Sequence, residues 1–379
     1  YLIEELERCK LWLTENYITS GNVVAVEGDF SPKAISLLLA LIDTKCIIIP
    51  LTKSVKNKID EFCEVSQAEI LINIDKNDNL KKTKLNGKPS NKLYHQLIKN
   101  NNPGLVLFSS GSTGKSKASV HDFIPLLNKY KVRRKTLNTI TFLLYDHIGG
   151  INTLFYILSN GGLIVTIQER NPDHVLKIIE KCKVELLPTS PTFINLILIS
   201  EAYKRYNTNS LKLVTYGTEP MPEITLKKFN RLFPNVKVIQ TYGLSEVGIL
   251  SSKSKSSDSL WVKIGGNGFE TRIKNNMLEI KAESAMLGYL NAESPYTDDG
   301  WFKTGDLVET KGDYIKILGR KSEIINVGGE KVYPQEVENV ILELNNVADA
   351  TVYSEQSAIL GNYVCAKVAI IKGKSDVEL

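Results

Sequence analysis

A chain of 379 residues, 42% hydrophobic and 23% charged, can bury a large core and is long for a single domain. Its formal net charge of +5 is scattered as lysines among isoleucine and asparagine, which excludes the clustered basic stripe of a nucleic-acid binder, and no apolar run reaches membrane-spanning length. Five widely spaced cysteines, Cys9, Cys46, Cys63, Cys182 and Cys365, follow no C-x-x-C or zinc pattern and read as reduced thiols of a cytoplasmic protein.

In chain order, helix and strand signals alternate. Residues 3–12 have helical spacing, 23–26 read as a strand, and Ser31 with Pro32 opens a helix to Leu41. Strands at 46–50 and 69–74 flank a helical stretch at 55–63. Short apolar strands between helices imply a parallel sheet covered on both faces. Residues 75–91, rich in lysine and asparagine, read as an exposed loop.

The apolar strand 104–108 runs into Ser109, Ser110, Gly111, Ser112, Thr113, Gly114, Lys115, Ser116 and Lys117. Glycines let successive N–H groups converge on one concavity, hydroxyls add rotatable donors, and the lysines add charge. Such a loop suits a polyphosphate, although a Ser/Gly surface turn has the same composition. A Walker A loop needs a glycine where Ser109 stands, so a P-loop NTPase is the weaker reading. The densest basic run, 129–135, reads as a solvated helix face.

Beyond it, a strand at 139–144 ends at Asp146, His147 and Ile148, and a helix follows to Leu158. Strands at 163–167, 184–187, 211–215 and 236–240 follow, with a helix at 175–181. Four strands thus deliver turn-rich loops at their C-terminal ends, where open α/β sheets bind ligands. From Trp261 short strands and turns suggest a β-rich subdomain, and from about Lys321 a smaller α+β unit begins.

The loop after Phe108 resembles the Y/F-T-S-G-S/T-T-G-x-P-K-G signature of the acyl-adenylate-forming enzymes, which include acyl-CoA synthetases, adenylation domains of peptide synthetases and firefly-type luciferases. Ser116 replaces the usual proline and Ala118 the usual glycine. Three further stretches are similar to motifs of that family. Thr241, Tyr242, Gly243, Leu244, Ser245 and Glu246 resemble Y-G-x-S/T-E, though a strand-to-helix turn N-capped by Ser245 would give the same string. Residues 299–307 are close to D-G-W-F/Y-x-T-G-D-L, and residues 319–338 resemble the hinge and the start of a mobile C-terminal domain. Gly217, Thr218, Glu219 and Pro220, and Gly288, Tyr289 and Leu290, are weaker matches.

The resemblance implies an α/β fold. Residues 1–319 would form a large AMP-binding domain of parallel-type sheets with a β-rich subdomain at 261–319, then a hinge at 320–321 and a small mobile α+β domain at 322–379. It implies activation of a carboxylic acid by ATP to an acyl-adenylate with release of pyrophosphate, then transfer to the thiol of coenzyme A or of phosphopantetheine. An amino-acid-loading module for an acyl carrier protein and a non-catalytic ATP-binding relative stay open.

By the same resemblance, Ser109, Ser112, Thr113 and Lys117 hold the departing pyrophosphate, and Ser110, Gly111 and Gly114 belong with them to the ATP-binding loop. Gly217, Thr218, Glu219, Pro220, Thr241, Tyr242 and Gly243 form the adenine site, Ser245 meets the α-phosphate, Glu246 holds Mg²⁺, and Asp306 and Arg320 bind the ribose. His147, Ile148, Thr192, Tyr216 and Gly243 border the acid. Gly328 and Gly329 line the thiol path, and Lys321 is the hinge. Thr113, Lys117, His147, Ser245 and Glu246 are the expected catalytic set. Peptide-synthetase domains carry an aspartate at the Ile148 position to pair an α-amine, so a non-amino-acid substrate is expected. The family also has a lysine near its C-terminal end; Lys367, Lys372 and Lys374 come too early to match it, so the C-terminal domain reads as incomplete.

Overall fold

Apolar strands with no polar face set the architecture. Val23–Glu27 and Ile47–Leu51 are buried on both sides and pair in parallel, Val23 opposite Ile47. Such strands suit the centre of a sheet with helices on each face. The computed structural model describes residues 1–110, 116–327, 330–344, 346–357 and 361–371. The first sheet runs, edge to edge, Gly288–Tyr289, Ser116–Asp122, Gly104–Ser110, Ile47–Leu51, Val23–Glu27, Ile70–Ile74 and Leu80–Lys84. Helices Leu2–Glu15 and Pro32–Asp43 pack beside it. Ser31 caps the second by accepting a hydrogen bond from the Ala34 N–H.

This sheet is parallel at its centre and antiparallel at its edges, where two expectations change. Within the supposed loop 75–91, Leu80–Lys84 pairs antiparallel with Ile70–Ile74. Four of its five residues are lysine or threonine of an edge strand, so no apolar run marked it. The strand before the Ser/Gly stretch extends to Ser110 and returns as Ser116–Asp122, Ser110 opposite Ser116. Gly111, Ser112, Thr113, Gly114 and Lys115 lie outside the described residues.

The second sheet is parallel throughout, in the order Lys237–Gln240, Leu213–Tyr216, Leu186–Thr189, Thr139–Ile140, Ile164–Val165. Of the expected strand 139–144, Thr139–Ile140 alone pairs; the chain then leaves the sheet toward His147 and helix Ile148–Ser159. The outward N–H groups of Val238, Gln240 and Tyr242, on the edge, donate to the hydroxyls of Ser257, Ser254 and Ser252 at 3.1, 2.8 and 3.2 Å.

Between the sheets, helix Phe123–Asn128 stops at Lys129, and residues 129–135 form a turn and extended chain, not the helix face expected. Residues 131–135 are solvated, but Lys129 and Tyr130 fold inward onto Asn152.

A six-stranded antiparallel sheet follows: Ser251–Ser254, Val262–Gly265, Tyr314–Arg320, Phe302–Lys311, Met277–Ala282, Phe269–Lys274. Past the short turn Lys321–Glu323 come the hairpin Ile325–Val327 with Glu330–Val332, helix Pro334–Ile341, and the hairpin Val347–Ser357 with Gly361–Ile370. This last unit docks on the second sheet's helices. The Asn195 Nδ2 donates to the Ala348 carbonyl at 2.9 Å, and the Glu223 N–H to the Asn339 Oδ1 at 3.2 Å. Gly328 and Gly329 lie outside the described residues. Among the described residues no helix is long and apolar enough to cross a membrane. All five cysteines are free thiols, with Cys9, Cys46 and Cys63 buried.

Candidate active site

Because the second sheet is parallel, the carbonyl ends of its strands lie on one side and open on a cavity of about 1070 Å³. From Leu213–Tyr216 come Gly217, Thr218, Glu219 and Pro220, all in its wall. Gly217 is required there, since a Cβ would stand 2.7 Å from the Thr241 hydroxyl and 2.8 Å from its carbonyl. Thr218 has φ +75°, a strained conformation for a β-branched residue. The Glu219 carboxylate accepts the Thr192 N–H at 2.7 Å, at the N-terminus of helix Pro191–Ser200. Thr192 and Tyr216, expected to border the acid, are not in the cavity wall. Thr192 stands behind Glu219, and Tyr216 is 2% exposed within the sheet's core.

From Lys237–Gln240 come Thr241, Tyr242, Gly243, Ser245 and Glu246. Ser245 caps no helix: Ser245 and Glu246 occupy the turn between the short strands Gly243–Leu244 and Gly248–Ile249. Glu246 lines the cavity, and its Oε1 accepts a hydrogen bond from the Tyr289 hydroxyl at 2.7 Å. The Tyr289 ring carries Lys117 Nζ at 5.4 Å from its centroid. Ser109 and Lys117, on facing strands of the first sheet, complete that side.

Asp306 enters from the antiparallel sheet, where it pairs in register with Arg320. It is 6% exposed, accepts a hydrogen bond from the Tyr242 hydroxyl, and has Arg320 Nε 3.4 Å from its Oδ1. Burial raises the pKa of its carboxyl, and the Tyr242 and Arg320 contacts oppose that rise. Burial, with the Asp306 charge, drives the Tyr242 phenol well above its ordinary range.

His147 stands on the opposite side as the N-cap of helix Ile148–Ser159. Its Nδ1 accepts the Gly149 N–H at 3.0 Å, so the neutral ring carries its proton on Nε2. Burial lowers its pKa and Asp146 partly offsets this, so the ring is neutral at pH 7. Asp146 faces elsewhere, its carboxylate accepting the Thr52 N–H at 3.1 Å and the Thr52 hydroxyl at 2.7 Å. Lys321 closes the cavity with Ser322 and Glu323.

Thus Ser109, Lys117, His147, Ile148, Ser245, Glu246, Asp306, Arg320 and Lys321, from segments far apart in sequence, surround one space. Glu246 is a single carboxylate, and no group of three or more ligating side chains exists among the described residues. That fits Mg²⁺, an ion usually held by one or two carboxylates together with substrate phosphates. Tyr289 as the partner of Glu246 and Thr52 as the partner of Asp146 escaped the sequence reading. The first left a trace in the Gly288, Tyr289, Leu290 match; the second left none.

A second cavity, about 750 Å³, adjoins the first and shares with it Asn152, Thr153, Pro188, Thr215, Thr241 and Ile249.

The sequence profile of a family described as "AMP-binding enzyme" matches residues 19–282. The chain is 26% identical over 306 residues to an indoleacetate–CoA ligase of Aromatoleum aromaticum, covering 72% of this chain and 58% of that one. It is 28% identical over 274 residues to a 2-succinylbenzoate–CoA ligase of Bacillus licheniformis, covering 65% and 56%. The matched stretches span little more than half the length of these relatives. Among solved structures, the anthranilate CoA ligase AuaEII with anthranoyl-AMP superposes with a TM-score of 0.82 at 18% identity, over 100% of this chain and 82% of that one. ATP-bound MatB from Rhodopseudomonas palustris does so with 0.79 at 20%, over 99% and 84%. At such identities the structures establish a shared fold, and the profile establishes descent. The chain belongs to the AMP-binding enzymes, the acyl-adenylate-forming superfamily.

Proposed function

We propose that the chain carries the adenylation site of an acid–thiol ligase, which joins a carboxylic acid to AMP and then passes the acyl group to the thiol of coenzyme A or phosphopantetheine. The observation that carries this reading is the convergence of Lys117, His147, Glu246, Asp306 and Arg320 on one cavity. In the first half-reaction an acid oxygen attacks the α-phosphorus of ATP. The bond to the bridging oxygen breaks, and pyrophosphate leaves with its electrons. In the second, the thiol sulfur attacks the acyl carbon and AMP leaves.

In this reading the chain aligns the reactants and balances charge. Lys117 and Ser109 would face the β- and γ-phosphates. Asp306 has lone pairs beyond the Tyr242 contact to accept both ribose hydroxyls, with Arg320 beside it. Gly217, Thr218, Glu219 and Pro220, with Thr241 and Tyr242, wall the adenine. Glu246 would hold Mg²⁺, which neutralises phosphate charge, and Ser245 would reach the α-phosphate. The neutral His147 offers its Nε2 proton to the acid carboxylate without competing as a base. Lys321 would be the pivot on which residues 322–379 turn between half-reactions, bringing Gly328 and Gly329 to the thiol's path.

The substrate is an acid without an α-amine. Ile148, buried and apolar, stands where a carboxylate would be needed, and Asp146 is occupied by Thr52. Exchange of labelled pyrophosphate into ATP, screened over aliphatic, aromatic and amino acids, tests this. Glu246→Ala should cut exchange at least a hundredfold with the fold preserved. Exchange within a few-fold of the parent would remove Glu246 from the site, and preference for an α-amino acid over its desamino counterpart would overturn the substrate class.

A further inference from the structure

The second cavity holds a cation that the adenylation site does not use. Lys129 caps helix Phe123–Asn128 and turns inward, where its Nζ donates to the Asn152 Oδ1 at 2.6 Å and to the Ile249 carbonyl at 3.1 Å. Both acceptors are neutral. The Tyr130 ring offers a neutral π face 5.1 Å from Nζ; among the described residues no third oxygen or nitrogen accepts from it, and no carboxylate pairs with this ammonium. The charge that bears on it is Arg134, a second cation lining the same cavity. Glu283, the one carboxylate in that lining, lies beside Gly268 and pairs with neither. A half-buried cation with a second cation in the same lining and no paired carboxylate lacks its counter-charge.

Asn152 is held in one orientation. Its Oδ1 accepts from Lys129 and from the Tyr130 hydroxyl, the latter at 2.8 Å, and Tyr130 also reaches the Asn152 carbonyl at 3.2 Å. With the oxygen saturated, the two Nδ2 hydrogens remain without a protein acceptor among the described residues. Asn152 lines both cavities and follows His147 by five residues on helix Ile148–Ser159. That spacing is about 7.5 Å of helix rise. Lys129 lost much of its preference for charge on burial, its pKa lowered to about 8, yet it is protonated at neutral pH.

We infer that the substrate is a dicarboxylic acid, one carboxylate activated beside His147 and the other held in the second cavity, where it joins the first, by Lys129 and the Asn152 amide. This rests on the adenylation reading and adds the class of acid. A carboxylate is the group that takes the spare ammonium proton and an amide proton together, by charge-assisted hydrogen bonds.

The experiment compares, on the chain as it stands, α,ω-diacids roughly six to ten carbons long, chosen to match the helix rise, with their monomethyl esters, which keep the length and lose the second charge. Pyrophosphate exchange gives the ratio of kcat/KM within each pair, and calorimetry gives diacid binding without turnover. The best diacid should exceed its ester by roughly tenfold or more. Lys129→Met should bring that ratio near one, and Asn152→Asp, which pairs Lys129 internally and repels the guest, should invert it. Taking ratios within one variant cancels any loss of folded protein. Exchange with monocarboxylic acids but a ratio near one in the parent, or the same ratio in Lys129→Met, overturns this inference and leaves adenylation standing. Exchange with no acid overturns adenylation. Calorimetry then decides the site: diacid binding that Lys129→Met abolishes keeps it, and absent or unaltered binding removes it.

Discussion

Tyr289 meets Glu246 at 2.7 Å and carries Lys117 over its ring, so one phenol fixes an acid and a cation on the same side of the cavity. Tyr289→Phe removes the hydroxyl and keeps the ring. A hydrogen bond to a charged group contributes about 1.5–3 kcal/mol, so exchange should fall roughly tenfold or more. With Glu246 in the proposed role of Mg²⁺ ligand, the Mg²⁺ concentration for half-maximal exchange should also rise. A lower rate with an unchanged Mg²⁺ requirement would make the contact structural. Nearby, His121 is fully buried on strand Ser116–Asp122, and neither ring nitrogen has a hydrogen-bond partner, although the Ser245 and Ser284 backbones lie close. Burial lowers its pKa to about 4 from the ordinary 6.5. Above 6.5 both folded and unfolded chains hold it neutral, and its contribution to stability is whole. As pH falls through that window the unfolded chain takes the proton first, so stability drops by up to about 1.4 kcal/mol per pH unit until pH 4. Urea unfolding at pH 7 and pH 5 should show this slope, and His121→Leu should flatten it by about one proton; an equal slope in both would place the titrating group elsewhere.

At the scale of elements, helix Ile148–Ser159 depends on the close approach of its first turn to the segment before it. A Cβ on Gly150 would lie 1.9 Å from the Leu144 carbonyl oxygen. Gly150→Ala must therefore shift the turn that carries His147, at a cost of roughly 1–3 kcal/mol. Thermal unfolding should register that loss, with exchange reduced beyond it; full activity at unchanged stability would show that the turn yields freely. The central strands were legible in the sequence because Val23–Glu27 and Ile47–Leu51 are apolar on both faces, a pattern that follows directly from burial between helix layers. Leu80–Lys84 was not legible, since its lysines are those of an edge and its pairing is set by Ile70–Ile74. The Ser245 turn was legible as a candidate for the cavity wall and illegible as a shape. A serine before a glutamate fits a helix cap by local chemistry alone, and the return strand Gly248–Ile249 is what decides for a hairpin.

At the scale of the whole molecule, the candidate site lies at the seam between sheets. Ser109 and Lys117 come from the first sheet, the floor from the second, and Asp306 with Arg320 from the third. Motif strings named most of these residues, because each segment keeps a local pattern. The pairings across segments, Tyr289 with Glu246, Thr52 with Asp146 and Lys129 with Asn152, join residues 23 to 94 positions apart and left no local pattern to read. The last unit docks on the helices of the second sheet through Asn195 and Asn339, so that sheet supports both the floor and the elements beyond Lys321. The same sheet ends at strand Lys237–Gln240, whose outward donors are taken by Ser252, Ser254 and Ser257. An open row of such donors would be a template for a strand from another molecule. The three hydroxyls are therefore a guard against self-association as well as a tie between sheets. Replacing all three with alanine should raise light scattering well below the unfolding temperature, in proportion to protein concentration. A variant that loses stability by about 1 kcal/mol per hydroxyl yet scatters no more than the parent on heating would show that the neighbouring sheet already shields that edge by bulk.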